Sequence, residues 1–150
     1  MKRIIYGLLM IIWMVVIFSF SNSNGVKSDS LSKGIISNSI TIYEHVTNKT
    51  VDKDYYLDRL DYPVRKLAHF SEYAILGFLV IQFSLSFNML YAGSFSILLC
   101  FLYAMSDEFH QLFITGRSGQ FTDVLIDTLG AIVMICIIKI FTRKKGNKLQ

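Results

Sequence analysis

The chain has 150 residues, 53% of them hydrophobic, and a formal net charge of +4. That length confines it to one domain, and that apolar content exceeds what an ordinary soluble domain carries. A single Pro and 9 Gly leave too little turn punctuation for a β fold, and long unbroken apolar runs exclude the alternating strands of an outer-membrane barrel.

The first apolar run covers residues 4–20, directly after Lys2 and Arg3. A run of about 17 residues is long for the core of a signal peptide and sufficient to span, so it is predicted to be a retained transmembrane helix. Residues 21–65 form a polar connection. Within it Leu31, Ile35, Ile42 and Val46 recur at helical spacing, predicting an amphipathic helix on the membrane surface or against the bundle. The charge-rich stretch 52–61 is expected to be solvated. Pro63 is expected near the start of the next helix, where proline is tolerated. Further apolar segments follow at about 67–87, 91–113 and 124–141. The connections at 88–91 and 115–120 are short, which makes sequential helices antiparallel neighbours. The predicted fold is all-α: one domain over residues 1–150, an integral membrane four-helix bundle with a polar extracytoplasmic connection between helices 1 and 2. Cys100 and Cys136 lie inside apolar runs without metal-ligand spacing and read as small hydrophobic fillers.

Lys2 and Arg3 open the chain, and Lys139, Arg143, Lys144, Lys145 and Lys148 close it with no acid among them. Basic flanks beside apolar runs mark the cytoplasmic side facing anionic lipid. The expected location is therefore the cell membrane, multi-pass, with both termini cytoplasmic, although the 21–66 connection is itself rich in Lys and Arg. No soluble domain is available to present the basic tail to nucleic acid, so that partner class is set aside. Membrane lipids are the expected neighbours, and a homodimer is allowed.

Three of the segments are too short without their polar turns. At about 1.5 Å per residue, the clean apolar stretches 73–87, 90–105 and 128–138 supply only about 22, 24 and 17 Å against a hydrocarbon core of about 30 Å. Each must therefore carry ionisable groups into the membrane: His69 and Glu72, then Asp107 to Gln111, then Asp123 and Asp127. Antiparallel alternation places all of them at one membrane face. Arg65, His69 and Glu72 share a helical face, as do Asp107, His110 and Gln111, and Asp123 with Asp127. Stripes facing inward enclose a polar pocket; stripes facing lipid would cost about 3 kcal/mol per charge.

His69, Glu72, Asp107 and Asp127 are the candidate catalytic groups. Arg65, Lys66, Glu108, His110, Gln111, Arg117 and Asp123 are candidate ligand contacts. Simpler readings stand beside these. Glu72 can pair with Arg65, Lys66 or Arg117. Asp123 can cap the last helix. Glu108 points away from Asp107, toward headgroups. Arg117, in a Gly-flanked loop, is a headgroup anchor or a phosphate binder. Tyr73 reads as a packing aromatic. Five acids against three bases leave a negative surplus, which buried carboxylates resolve by keeping a proton or binding a cation. A divalent metal fits that chemistry, though no metal motif of diagnostic spacing is present.

Arg65-Lys66-Leu67-Ala68-His69-Phe70-Ser71-Glu72-Tyr73-Ala74-Ile75-Leu76-Gly77 resembles the first signature of the VanZ-like family. Tyr103-Ala104-Met105-Ser106-Asp107-Glu108-Phe109-His110-Gln111 resembles the second. Gly116-Arg117-Ser118-Gly119, with Asp123-Val124-Leu125-Ile126-Asp127-Thr128-Leu129-Gly130, resembles the third. Phe18-Ser19-Phe20-Ser21-Asn22-Ser23 is similar to the family's N-terminal pattern. The resemblance implies kinship with the teicoplanin-resistance membrane protein found beside vancomycin-resistance genes in Gram-positive bacteria. By that analogy the chain handles a lipid-linked, cell-envelope or lipoglycopeptide ligand at the outer face. A non-enzymatic binding or shielding protein and a small proton-coupled transporter subunit are the alternatives.

Overall fold

The computed structural model describes residues 1–146, and side chains through Thr142. The basic side chains of Arg143, Lys144 and Lys145, and all of Lys148, lie outside what is described. Every described element is a helix: α1 (Lys2–Ser21), α2 (Gly25–Thr47), α3 (Lys53–Ser86), α4 (Ala92–Gln111) and α5 (Phe121–Gly146).

The fold is all-α, with five helices: one for each of the four apolar segments and α2 within the connection. Three of them, α1, α3 and α5, are long and apolar enough to cross a membrane. By that measure α4 is not, because its last turns carry Asp107, Glu108 and His110. The region predicted as a polar connection is almost wholly helical. Asn24 caps α2 by accepting a hydrogen bond from the Lys27 amide at 2.9 Å, and Asn48 ends it in the left-handed conformation at φ 54°. The side chain of Asp52 then accepts from the Tyr55 amide and starts α3, with Asp54 favourably placed in the first turn.

Pro63 therefore lies inside a helix and not at its start. The proline costs one backbone hydrogen bond. Tertiary contacts carry the helix across it: the Arg65 guanidinium bonds Asp61 one turn back at 2.6 Å and Asp29 of α2 at 2.7 Å. At 34 residues, α3 is about 51 Å long, so its first turns project beyond a hydrocarbon layer about 30 Å thick. There α2 packs on it through Ser32, Ile36 and Ile40, and the Ser32 hydroxyl bonds the Asp61 carboxylate. The stripe read from the sequence, Leu31, Ile35, Ile42 and Val46, is the adjacent face and is exposed.

Glu44 straps the junction of these two helices. Its carboxylate accepts from the Val51 amide at 3.1 Å and meets the Lys53 ammonium at 3.3 Å. The amide bond, together with Lys53, holds its pKa below the ordinary value near 4.5. A carboxyl depressed on folding stabilises the folded state above its unfolded pKa and loses that contribution as pH falls through the folded value. Hydrogen-exchange protection of the Val51 amide, corrected for intrinsic rate, is therefore expected to hold at neutral pH and drop as acid protonates Glu44, below the ordinary carboxylate range. Glu44→Gln should abolish that pH step; an unchanged step would sink the assignment.

The long α3 is the centre of the fold and packs against all four other helices. Arg3 donates to the Ser86 carbonyl at 2.8 Å, and the Trp13 indole donates to the Glu72 carbonyl at 2.9 Å, so α1 runs antiparallel to α3. The Tyr103 hydroxyl donates to the Met14 carbonyl, tying α4 to α1. Ser84 and Ser96 meet in a buried hydroxyl pair between α3 and α4. Ile17, Leu76, Val80, Cys100, Ala131 and Ile135 fill the core. Small residues set the closest approach. A Cβ on Gly130 would stand 2.2 Å from the Phe70 carbonyl oxygen, and one on Gly77 would stand 2.8 Å from the Ala131 Cα. Glycine here lets α5 lie directly on the backbone of α3. The outer skin is apolar: Ile4, Leu8 and Ile12 of α1, Leu98 and Leu102 of α4, and Leu129 and Val133 of α5 are exposed. Such a continuous apolar surface is one a water-soluble monomer would not present.

Candidate functional site

One end of the bundle gathers the unusual side chains. The helices there are the end of α1, the middle of α3, the end of α4 and the start of α5, with the start of α2 laid across them. The cross-over is tight. The Gly25 amide donates to the Thr115 carbonyl, and a Cβ on Gly25 would fall 2.0 Å from the Gly116 carbonyl oxygen. Gly116 itself takes φ 76°, a conformation that suits glycine.

The basic residues expected to contact a ligand are already engaged. Arg65 bridges Asp29 and Asp61. Lys66 pairs with Asp123, and its ammonium also stands 4.8 Å from the Tyr62 ring centroid. Asp123 thus lies in the first turn of α5 as an ion-pair partner, not as a cap. Arg117 is tied to the end of α1. Its guanidinium donates to the Ser23 carbonyl at 2.8 Å and the Phe20 carbonyl at 3.0 Å, so it closes the end of α1.

The acids are the reverse case. Among the described residues Glu72 forms no ion pair and is half-buried at the edge of a cavity. Asp127 is fully buried, and neither of its carboxylate oxygens has a hydrogen-bond partner. His69 Nδ1 faces Asp127 Oδ1 at 3.5 Å without the alignment of a hydrogen bond. Glu108 does not face headgroups. It is buried, its Oε2 accepts from the Gln120 amide at 2.9 Å, and its Oε1 is unpartnered. One donor atom each from His69, Glu108 and Asp127 lies within 4.8 Å of the others. Asp107 is buried beside them, with Gln111 donating to Oδ2 at 3.2 Å and Oδ1 left free. His110 leans on the Phe18 ring, with centroids 4.7 Å apart. The buried unpartnered side-chain atoms belong to Ser21, His69, Tyr73, Asp107, Glu108, His110 and Asp127. Buried polar atoms are seldom left so, and their concentration at one end marks the site.

The α3 and α5 contributions meet because Gly130, one turn beyond Asp127, admits the backbone of α3. Sequence reasoning brought His69, Glu72, Asp107 and Asp127 to one end of the bundle, and the structure places them there. It missed Ser21 and the Tyr73 hydroxyl, which has no partner although Tyr73 is 0% exposed. The spacing of Tyr73 one turn after His69 carried that signal. It also missed Asp29 and Asp61 as partners of Arg65, because it began the helix near Pro63 and did not place the start of α2 against it.

Two cavities adjoin the cluster. The first, about 300 Å³, is lined by apolar Ile17, Phe20, Leu31, Ile35 and Val64 and by polar Arg65, His69, Glu72, Asp107, Gln111 and Arg117. The second, about 270 Å³, is polar and holds Lys66, Gln120 and Asp123; it shares Arg65, His69, Gln111 and Arg117 with the first.

The VanZ/LLP1 family profile matches residues 6–142. The chain belongs to the VanZ/LLP1 family. The match runs from α1 into α5, so the two cavities and the buried cluster lie within the family's shared domain. All three motifs that resemble the VanZ-like signatures contribute to this end of the VanZ/LLP1 fold: the first places Arg65, His69 and Glu72, the second Asp107 and Glu108, the third Arg117, Asp123 and Asp127. No curated protein and no solved structure matches the chain.

Proposed function

We propose that this VanZ/LLP1-family membrane protein binds an amphiphile of the cell envelope, a lipid-linked precursor or lipoglycopeptide, at the outer membrane face. One observation carries the reading: a single cavity lined by both apolar and charged side chains. The alkyl part of a ligand fits against Phe20, Leu31, Ile35 and Val64. Its polar head reaches Glu72 and Asp107, with the second cavity behind them. Four helices cross the bilayer in this reading, α4 included. The outward row of Leu98, Leu102 and Met105 supports that, while its acids turn inward to α3 and α5. The basic ends then place both termini in the cytoplasm. Glu72, half-buried and unpaired, is suited to exchanging a proton with the bound head.

Lipid retained through delipidation and measured by mass spectrometry tests the binding step. Ala68→Trp, which fills the cavity, should remove most of the retained lipid from the otherwise folded protein. Unchanged retention would overturn the reading. Glu72→Gln then separates chemistry from affinity. If teicoplanin tolerance conferred on a susceptible host disappears while retention persists, the site performs chemistry. Loss of both together makes it a binding or shielding module.

A further inference from the structure

Behind the cavity, the buried carboxylates form a set whose charge no Lys or Arg answers among the described residues. Lys66 is taken by Asp123, Arg65 by Asp29 and Asp61, and Arg117 by the carbonyls that end α1. Asp127 is 0% exposed and Glu108 4% exposed. Carboxylates this deep are costly unless paired or coordinated to a metal. Each keeps a free oxygen, and the one imidazole beside them keeps a free Nδ1.

We propose that His69, Glu108 and Asp127 together ligate a divalent transition-metal ion beneath the cavity. The three come from three different helices, and one donor atom from each falls within a 4.8 Å group. Two ligands about 2.1 Å from a tetrahedral ion stand about 3.4 Å apart. His69 Nδ1 and Asp127 Oδ1 already stand at 3.5 Å. Glu108 is oriented for the role, because the Gln120 amide holds Oε2 and leaves Oε1 inward. A second observation points the same way. Tyr73 follows His69 by one turn on the same helical face, and its hydroxyl is buried with no partner. A hydroxyl there can bond a metal-bound water.

One imidazole and two carboxylates suit Zn²⁺, Mn²⁺ or Co²⁺ in preference to the soft ions that need sulfur, and to Mg²⁺ or Ca²⁺, which take oxygen alone. Three protein ligands leave coordination positions for water or a ligand's oxygen. His69 lines both cavities, so such a position is reached from either. The metal site does not depend on the amphiphile.

The test uses the full chain in detergent, stripped with chelator and dialysed against Co²⁺ or Zn²⁺. One ion per chain is expected to remain after desalting. Co²⁺ should show visible absorption more intense than that of the hydrated octahedral ion. His69→Gln, Glu108→Gln and Asp127→Asn should each weaken retention at least about tenfold, the low end of what losing even an outer-shell partner costs. Glu44→Gln, far from the cluster, should not; ion retention is read on its own, whether or not lipid is retained, which separates this outcome from failure of the ligand-binding reading. No ion above the buffer blank, or equal retention by all three variants, overturns the proposal. Should the variants fail to fold, X-ray absorption of the wild-type Zn²⁺ form decides. A nitrogen and oxygen shell at about 2.0–2.2 Å with imidazole scattering supports the site, and a water-only or sulfur shell overturns it.

Discussion

Gly130→Ala is expected to be among the most damaging single-methyl additions in this protein. Its Cβ would enter the space 2.2 Å from the Phe70 carbonyl oxygen, which is backbone and cannot rotate aside. The start of α5 must then lift from α3, carrying Asp127 away from His69. Overpacking of this kind costs about 3 kcal/mol, read as a lowered midpoint of thermal unfolding in detergent. Gly34 supplies the control. It lies in α2 with nothing within 4 Å of its added Cβ, and Gly34→Ala should stabilise by up to about 1 kcal/mol through helix propensity. If Gly130→Ala melts with the wild type, the account of how α3 and α5 position the site is wrong.

Lys66→Met carries the second large expected effect. The Lys66 and Asp123 side chains are 17% and 10% exposed. Removing the ammonium leaves the Asp123 carboxylate buried between α3 and α5 without a countercharge. Breaking a buried pair from one side costs about 3 kcal/mol or more, while removing both charges is far milder. Lys66→Met should therefore depress the unfolding midpoint markedly, and Asp123→Asn added to it should restore most of the loss. Arg65→Met should do less: its partner Asp61 is 14% exposed, but Arg65 itself and its other partner Asp29 are 37% and 44% exposed, so water screens more of what is lost. Equal midpoints for Lys66→Met and the wild type would show that the pair contributes little.

Both expectations concern contacts between α3 and α5, and both bear on the site. The α5 acids are functional candidates only while α5 stays on α3. Variants of Lys66 or Gly130 that lose activity therefore report on positioning, whereas Glu72→Gln, which lines the cavity without an ion pair, reports on the site itself.

Hydropathy and spacing were enough to identify an all-helical membrane protein and the end at which its charges gather. The reason is local. A charge within a short apolar run must face inward, and short connections force helices to alternate, so depth follows from position along the chain. The same reasoning marked His69, Glu72, Asp107 and Asp127. It marked a helix in the connection but took the adjacent face as its apolar one, because the packed row of Ser32, Ile36 and Ile40 includes a serine, whose hydroxyl bonds Asp61 of another helix. It misplaced the start of α3, because proline is favoured in the first turn of a helix, whereas here Pro63 lies inside one, with Arg65 bonded to Asp61 and Asp29 beside it.

Which of two adjacent buried acids joins His69 and Asp127 could not be read from the chain either. Asp107 and Glu108 differ by about 100° around α4, and only the placement of α5 and the Gln120 amide decides that Glu108 joins His69 and Asp127. Likewise, the sequence shows Lys66 and Arg117 as cations, but not that each is already occupied. Membrane residence, helical class and the depth of the charged groups were thus set by the order of residues, because solvation of each segment is a property of that segment. The pairing of those groups, and so which remain free to act, was decided by tertiary structure, because a partner is a matter of distance between helices far apart in the chain.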